Sequence, residues 1–560
     1  MARYELGDQQ AEARLAPLAL LDSLPDAEKP DRVVALCTRE AKRESWPLLK
    51  QAITSRCVVE PVDVPAGHAQ EDIDIFLARV ALAIPGDREV DLTVDVTHGY
   101  RHFSFLTYTA VLYLTALRGV RVRGAYYGLL RGDQVSPFLD LRPLLALPRW
   151  FHALQVLRET GSASPIAALL GDGPQSPSAR SISRDLSLIS EAYLSGLPIE
   201  LGQQVRRFCE QKPKPLEKLL RNDHHLPLAA ELVRGLTSTL DPFQLPGQGS
   251  GDGWKRKTAL SGAELERQAR LINDLLEHES RATALGLMNE WTVSWAAWRV
   301  ADDGEWLDYQ RVRRRAANLL GAIAAVERDP DLATILSDEQ RALGVFWSDL
   351  CELRNAFHHH GMRPQILVGS AQIERKLKAV RSYWGDTLGR FPDLPLKLGS
   401  ARGGRVLVSP IGTRPGVLFS ALRVARSKDR EAPTACLVIC SQETEELINA
   451  AARHAKYEGA IERLVLDDPY GGRGEIDRVV KTARMSLIGA DEVFVNVTGG
   501  TTLMGLIAEA IASAARGLAC PVRRFGLIDR RPPAEQDSDP YQVGEPCWLD
   551  TGEGGDADRD

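Results

Sequence analysis

The sequence predicts an all-helical domain flanked by two α/β domains that contain mostly parallel sheets. The chain has 560 residues, which at about 100–200 residues per domain corresponds to three or four domains. Apolar strand-like runs alternate with helix-like runs in residues 1–145 and again in residues 404–548. Residues 146–395 show only the helical spacing of apolar side chains. We therefore expect two sheets, separated along the chain by a helical block.

The first α/β domain is defined by four strand-like segments. Apolar runs at residues 32–38, 56–64 and 88–96 predict buried strands. A long apolar helix at residues 103–117 precedes a fourth run at residues 118–130. This alternation is typical of a mostly parallel sheet.

The helical block and the second α/β domain follow the same kind of reasoning. Three segments with helical spacing of apolar residues lie at 265–300, 305–327 and 339–359. Residues 390–404 have the composition of a linker, and the acidic residues 549–560 are expected to be a disordered tail. The strands expected in the second α/β domain lie at residues 405–412, 435–441, 462–467 and 491–497.

The composition is that of an ordinary globular protein with no global attraction for nucleic acid. Hydrophobic residues make up 44% of the chain and charged residues 26%, which excludes wholesale disorder. The 69 Lys and Arg residues against 75 Asp and Glu give a net charge of −6, so contact with RNA or DNA must be local. The first fifteen residues carry no apolar signal-peptide core, and residues 103–117 are too short to span a bilayer. We expect a cytoplasmic protein without membrane contact.

The eight cysteines predict reduced thiols and no metal site. No CxxC pair exists, and Cys436 and Cys440 lie in an apolar run without a second pair of ligands downstream.

Each α/β domain places a polar, hydroxyl-bearing segment directly after a central strand and before an apolar helix. Open parallel sheets bind ligands at the carboxyl ends of their strands, and the start of a helix there suits a phosphate group. No lysine follows the glycines of the second domain, so the P-loop pattern is absent and ATP hydrolysis is disfavoured. The polar residues of the second domain are Ser409, Gly412, Thr413, Asn496, Thr498, Gly499, Gly500, Thr501 and Thr502. They predict a nucleotide-like ligand, and ordinary helix caps are the alternative.

The matching segment of the first domain contains a histidine. Asp95, Thr97, His98 and Gly99 occupy the turn that follows the third strand-like run. His98 is either a ligand contact at the edge of the sheet or a histidine with a structural partner, and both interpretations stay open here.

The strongest chemical signal is LRNAFHHHGMRP at residues 353–364. Helical spacing places Asn355 and His359 on one face, with Arg354 one step round the helix. Helix stop signals follow, so His359 lies in the last turn, where the helix dipole favours a positive charge. An arginine and an imidazole suit metal-independent cleavage of a phosphodiester, because the arginine neutralises developing charge and the imidazole exchanges a proton. In RNA the 2′-hydroxyl is an internal nucleophile, and its attack on the phosphate produces a 2′,3′-cyclic phosphate.

Two other interpretations compete at this helix end. His358, His359 and His360 could bind a metal, although adjacent helical positions point in different directions. The segment could also be a simple polar helix end. A basic run comprises Arg311, Arg313, Arg314 and Arg315. It is either a solvated helix face, which we slightly favour, or a surface that guides RNA.

These motifs resemble those of the CRISPR-associated ribonucleases that join a CARF domain, a Rossmann-like sensor of cyclic oligoadenylate, to a HEPN ribonuclease domain. Residues 1–130 look like the branch named for its DxTHG motif, here residues 95–99, and segments 3–21 and 36–46 are also similar to it. The opening of the helical domain, residues 151–170, and the LRNAFHHHG segment are similar to the HEPN part of that family. Residues 404–548 resemble a second CARF domain through VSPIGT and NVTGGTT.

The resemblance implies a site residue by residue. It assigns catalysis to Arg354, with Asn355 beside it, and to His359. It implies that ligand contacts of the two CARF-like domains include Thr38, Asp95, Thr97, His98, Gly99, Ser409, Gly412, Thr413, Asn496, Thr498, Gly499, Gly500 and Thr501. Because the family usually has a strand and a glycine-containing turn before the segment at residues 3–8, we expect the first CARF-like domain to lack that strand.

The resemblance also implies a switch. Cyclic oligoadenylate, with the tetra-adenylate favoured over the hexa-adenylate, is made by a type III complex in antiviral defence and binds the CARF-like domains. The HEPN domain then cuts single-stranded RNA. Family sites combine one Arg–His pair from each protomer, so one pair in this chain predicts a homodimer. The alternatives are a non-catalytic sensor that binds RNA and a ring nuclease that degrades the cyclic ligand.

Overall fold

The computed structural model is a mixed α/β protein that combines parallel sheet elements with many helices. It describes residues 1–86, 88–132, 134–171, 176–246, 253–300, 305–359, 362, 370–396, 398, 404–426 and 432–550. The chain divides into two compact units. One comprises Met1–Tyr193 with Gln204–Asp241, and the other comprises Leu194–Gln203 with Pro242–Asp560. The division therefore runs through the region that the sequence predicts to be helical.

The first unit begins with α/β structure. Its strands are β1 (Ala2–Leu6), β2 (Gln9–Ala13), β3 (Arg32–Cys37), β4 (Val58–Asp63), β5 (Asp91–Asp95), β6 (Arg121–Gly128) and β7 (Ser136–Asp140). Its first helices are α1 (Ala16–Ser23), α2 (Arg39–Glu44), α3 (Trp46–Ile53), α4 (Gln70–Ala83) and α5 (Arg101–Arg118). Leu106, Ala110 and Leu114 recur every four residues along α5, so one face of this helix is buried in a core with Phe76 and Val80 of α4.

The strands of the first unit form one mixed sheet and one parallel pair. One has the order β2-β1-β7-β6-β5, and the other pairs β3 with β4 in parallel. β5-β6 and β1-β7 are also parallel, whereas β1-β2 and β6-β7 are antiparallel. The pairs between predicted strands, β3-β4 and β5-β6, are parallel as expected, and the two antiparallel hairpins involve β1, β2 and β7, which the sequence does not predict. Residues 7–8 and 129–135 are connections too short for the crossover that parallel strands need, so the chain must reverse.

Helices complete the first unit and connect it with the second. They are α6 (Arg142–Thr160), α7 (Ser164–Gly171), α8 (Pro177–Leu194), α9 (Pro198–Gln211), α10 (Pro213–Asn222) and α11 (Ala229–Leu240). The second unit continues with α12 (Gly262–Glu277), α13 (Arg281–Val300), α14 (Arg314–Glu327), α15 (Asp338–His358) and α16 (Ala371–Asp386). A π-helical turn, Tyr309–Arg313, precedes α14, and short 3-10 turns lie at Asp26–Glu28, Asp241–Phe243, Ala333–Ile335 and Leu388–Arg390.

The helices of the second unit pack around α15. This helix begins with a capping box, in which Ser337 Oγ accepts from Gln340 N at 3.2 Å and Gln340 Oε1 accepts from Ser337 N at 3.0 Å. α14 crosses α15 at Gly344, where a Cβ atom would lie 3.0 Å from the Cβ of Glu327. The glycine therefore allows the close approach of the two helices.

The C-terminal part of the second unit is a twisted, mainly parallel sheet. Its strands are β8 (Arg405–Pro410), β9 (Ala435–Ser441), β10 (Ala460–Leu466), β11 (Glu492–Asn496), β12 (Val522–Ile528) and β13 (Glu545–Trp548). Its helices are α17 (Gly416–Ala425), α18 (Glu445–Ala455), α19 (Arg473–Leu487), α20 (Thr502–Gly517) and α21 (Pro533–Ser538). The order is β10-β9-β8-β11-β12-β13, and only β13 runs antiparallel to its neighbour.

This strand order defines the ligand edge of the C-terminal sheet. From β8 the chain proceeds to β9 and β10 on one side, and from β11 it proceeds to β12 on the other. β8 and β11 are therefore neighbours at the topological switch point, where open α/β sheets bind ligands. The two polar turns that the sequence singles out follow these two strands.

Within the described part of the chain, none of the helices combines the length and the apolar character needed to cross a lipid bilayer.

Candidate functional site

The end of α15 carries the three residues predicted to be catalytic. The guanidinium of Arg354 donates from Nη1 to Oδ1 of Asn355 at 3.1 Å. The helix ends at His358, and the next residue, His359, donates its N–H to the carbonyl oxygen of Asn355 at 3.1 Å. Arg354 and Asn355 are half-buried, whereas His359 is exposed. The structure thus places the guanidinium of Arg354 and the solvent-accessible imidazole of His359 at the C-terminal end of one helix.

The side chain one helical turn before Arg354 carries no charge that would compete for the guanidinium. Cys351 lies one turn earlier, and burial raises the pKa of its thiol to about 11. Asn289 Nδ2 donates to its Sγ at 3.5 Å. The thiol is therefore neutral at physiological pH and places no negative charge beside the guanidinium. An arginine in this state can bind a phosphate group and an exposed histidine can exchange a proton.

The histidine run offers no complete metal site in the part of the chain that the structure describes. The rings of His358 and His359 are 5.9 Å apart between centroids and inclined by 69°. His360 lies outside the described residues. Among those that are described, no three His, Cys, Asp or Glu side chains converge in an arrangement that could hold a metal ion.

Two arginines of the basic run have structural partners. Arg313 donates to Ser294 Oγ at 3.0 Å and to Glu290 Oε2 at 2.7 Å, and it lies over the ring of Trp306. Arg315 pairs with Asp491 at 3.5 Å. The side chain of Arg311 lies outside the described part. These contacts favour a structural role over a surface that guides RNA.

Asn496 joins the two turns at the switch point of the C-terminal sheet. It is fully buried at the end of β11, and its Nδ2 donates to Ser409 Oγ and to the carbonyl oxygen of Thr498, each at 3.0 Å. Its Oδ1 accepts from Thr498 N at 3.0 Å. The turns also meet at Gly412, where a Cβ atom would lie 3.0 Å from the backbone of Gly500. The hydrogen bond between the buried side chains of Ser409 and Asn496 therefore connects the two turns.

The threonines of the second turn are engaged inside the protein. Thr498 Oγ1 accepts from Leu527 N at 2.8 Å. Thr501 Oγ1 caps α20 by accepting from Met504 N at 3.4 Å, and it donates to the carbonyl oxygen of Pro469 at 2.9 Å. The contacts of Thr501 agree with the helix-cap interpretation, whereas the Thr498 hydroxyl joins the turn to β12. Thr413, Gly500 and Thr502 are the exposed members of the two turns.

Two glycines give this turn its shape. Gly499 has a φ of +110° and Gly500 a φ of +68°, both in the region that favours glycine. Gly500 is exposed immediately before α20, which begins at Thr502. The backbone can therefore approach an anionic ligand closely at this point.

The turn after β5 in the first unit repeats the same design. Thr97 N donates to Asp95 Oδ1 at 2.9 Å, and Thr97 Oγ1 accepts from Gly128 N at 2.7 Å. Asn496, Thr498 and Leu527 make the equivalent bonds in the second unit. In both motifs a side-chain oxygen binds the backbone two residues on, which is the Asx turn that Asp-x-Thr and Asn-x-Thr favour. The similarity of the two segments in sequence thus reflects a shared local structure.

His98 has a structural partner in the first unit. Its Nε2 accepts from the N–H of Ala16, the first residue of α1, at 3.1 Å. The imidazole therefore caps α1, which favours the structural interpretation. Burial raises the pKa of the neighbouring Asp95, and the hydrogen bonds from Thr97 oppose this shift. Thr38, after β3, likewise caps α2 by accepting from Ala41 N at 3.2 Å.

Sequence reasoning missed an exposed group of rings beside Gly99, whose φ is +125°. Tyr100 and His102 are stacked with centroids 5.7 Å apart, and His68 lies 6.0 Å from Tyr100. All three side chains are exposed. The aromatic residues that directly follow the Asp95–Gly99 turn in the sequence were the available signal.

Comparison with known proteins links part of the chain to a CRISPR-associated protein. The chain matches no family model. Over 155 residues, 27% of this chain, it is 23% identical to the CRISPR-associated protein MJ1674 of Methanocaldococcus jannaschii. The matched part is 23% of that protein, so the chain spans less than a quarter of the length of this relative. The chain is thus similar, over about a quarter of its own length, to a CRISPR-associated protein.

Proposed function

We propose that the protein is an endoribonuclease that is activated by cyclic oligoadenylate and cuts single-stranded RNA in CRISPR-linked antiviral defence. The observation that carries this proposal is the presence at the end of α15 of Arg354, hydrogen-bonded to Asn355, and of the exposed imidazole of His359. The similarity to a CRISPR-associated protein supports the biological setting.

The proposed chemistry uses arginine and histidine side chains of this helix end together with the 2′-hydroxyl of the RNA substrate. The Arg354 guanidinium binds non-bridging phosphate oxygens and stabilises the additional charge of the transition state. The His359 imidazole moves a proton, either from the 2′-hydroxyl or to the 5′-oxygen that leaves. The products are a 2′,3′-cyclic phosphate and a 5′-hydroxyl, and DNA is not a substrate because it lacks the nucleophile.

A homodimer would complete this site. The reaction moves two protons, one from the attacking hydroxyl and one to the leaving oxygen, and one imidazole cannot serve both sides of the phosphate at once. Two α15 ends related by a two-fold axis supply two arginines and two histidines. The proposal therefore includes a dimer with a shared cleft.

Contacts within the second unit connect the C-terminal sheet with α15. Arg315 and Asn318 of α14 both contact Asp491, the residue before β11. Arg484 of α19 pairs with Asp329, which follows α14. Since α14 packs on α15, a ligand at the far end of β11 has a continuous set of contacts through which to bias the catalytic helix. Activation further requires that the ligand bind the active arrangement more tightly.

The test is cleavage of labelled single-stranded RNA by the full-length protein with each cyclic oligoadenylate, with and without a chelator. Arg354→Ala and His359→Ala should each lower the cleavage rate by about 10²–10⁴-fold and leave ligand affinity unchanged. His358→Ala is the matched control, since it removes an adjacent exposed imidazole and should keep activity. Full activity in both site variants would refute the proposal.

The same assay separates the two alternatives. A protein that shifts RNA in the presence of ligand but never cuts it is a non-catalytic sensor. Chromatography of the cyclic tetra- and hexa-adenylate after incubation shows whether the rings are opened, as a ring nuclease requires.

A further inference from the structure

Tyr470 stands out at the ligand edge of the C-terminal sheet. It lies in the loop between β10 and α19, and 84% of its surface is exposed. A phenol ring in this state contributes little to folding, because burial is what makes an aromatic side chain stabilising.

Hydrogen bonds tie down the loop that presents this ring. Asp468 Oδ1 accepts from Tyr470 N at 2.9 Å, and the carbonyl oxygen of Asp468 accepts from Gly471 N at 3.1 Å. Glu475 Oε1 accepts from Asp467 N at 2.7 Å and so ties the loop to the first turn of α19. A ligand that meets Tyr470 has little backbone entropy to overcome.

A hydrogen bond holds this loop against the glycine turn. Thr501 Oγ1 donates to the carbonyl oxygen of Pro469 at 2.9 Å. Thr501 follows Gly500 directly, and Tyr470 follows Pro469 directly. The hydrogen bond between Thr501 and Pro469 therefore joins the residues directly adjacent to the exposed ring and to the glycine turn.

The charges on the two sides differ. Arg478 pairs with Asp467 at 3.2 Å, so Asp468 is the acidic side chain beside Tyr470 that repels phosphate groups, whereas the turn at Gly499 and Gly500 offers backbone N–H groups ahead of α20. A nucleotide placed here keeps its phosphate on the glycine turn and directs its base toward the ring. Every nucleobase has a π-face that can stack on an aromatic side chain.

We propose that Tyr470 is a base-stacking residue of the C-terminal site, on which one adenine of a cyclic oligoadenylate lies while its phosphates contact the turn at Gly499 and Gly500. This inference rests on the proposed activator and adds to it the residue that holds a base.

Isothermal titration of the full-length protein with cyclic tetra-adenylate tests the inference. Tyr470→Ala should raise the dissociation constant about 5- to 150-fold, the range expected for the loss of one stacked base. Tyr470→Phe keeps the ring without its hydroxyl and should bind like the unmodified protein. The melting temperatures should agree, because the side chain is exposed. Unchanged affinity in Tyr470→Ala, or equal loss in Tyr470→Phe, overturns the stacking role.

Photocrosslinking separates the C-terminal site from the first unit. The 8-azidoadenosine analogue of cyclic tetra-adenylate should label the tryptic peptide at residues 464–473, which contains Tyr470. Label confined to peptides of residues 1–145 would overturn the inference and leave the proposed activator standing. Absence of any binding to the unmodified protein would instead refute the proposed activation.

Discussion

Asn496→Asp is a sharp test of how the switch point of the C-terminal sheet is built. The substitution keeps the shape of the side chain and its Oδ1, which accepts from Thr498 N. It replaces the Nδ2 donor, which lies 3.0 Å from both Ser409 Oγ and the carbonyl oxygen of Thr498, with an oxygen. The serine hydroxyl can rotate to donate to a carboxylate, but the Thr498 carbonyl cannot. Two acceptors then face one another in a buried site.

The expected magnitude follows from these contacts. A buried acceptor without a partner costs about 1–3 kcal/mol, and a buried uncompensated charge adds to this. We therefore expect the free energy of unfolding to fall by about 2–5 kcal/mol near pH 8. Burial should raise the pKa of the new carboxyl, and its protonated form can donate to the Thr498 carbonyl in place of Nδ2. The loss should shrink to below about 1 kcal/mol near pH 5, because the protonated carboxyl restores the hydrogen bond.

Hydrogen exchange of peptides that span β8 and β11 measures this loss in the full-length chain. Ser409→Ala is the control: it removes the other acceptor of Nδ2 and should cost about 1 kcal/mol at both pH values. A loss in Asn496→Asp that is equal at the two pH values, or absent near pH 8, would refute the account of the switch point.

Two further predictions concern the first unit and the helix crossing. Burial raises the pKa of Asp95, so the stability that this carboxyl contributes is present at acid pH and is lost as pH rises through the raised pKa. Asp95→Asn keeps the oxygen that Thr97 binds and should remove this decline, as measured by melting curves at acid and neutral pH. Identical pH profiles for the variant and the unmodified protein would contradict this prediction. Gly344→Ala should lower the free energy of unfolding by about 1 kcal/mol in urea titrations, because its Cβ would lie 3.0 Å from the Cβ of Glu327. Gly286→Ala, in α13 where the described residues leave open space, is its control and should be stabilising by up to about 1 kcal/mol; similar losses in both variants would argue against crowding at the crossing.

The local sequence pattern was sufficient to predict the secondary structure of much of the chain. The apolar run at residues 435–441 coincides with β9, and the polar segments after β5 and β11 lie where the sequence predicts them. The helix that carries Arg354 and His359 was also predictable, since apolar periodicity and capping residues act within a few turns of the backbone. These features depend on neighbours in sequence, and for that reason a sequence alone determines them.

The tertiary structure decided which of these segments meet. Nothing local shows that β8 lies beside β11, or that Thr501 reaches across to the loop of Tyr470. The partner of His98, the N–H of Ala16, is likewise far away in sequence. Strand order and long-range hydrogen bonds depend on how whole surfaces pack, so the same polar residue can cap a helix or face a ligand, and only the folded chain distinguishes the two.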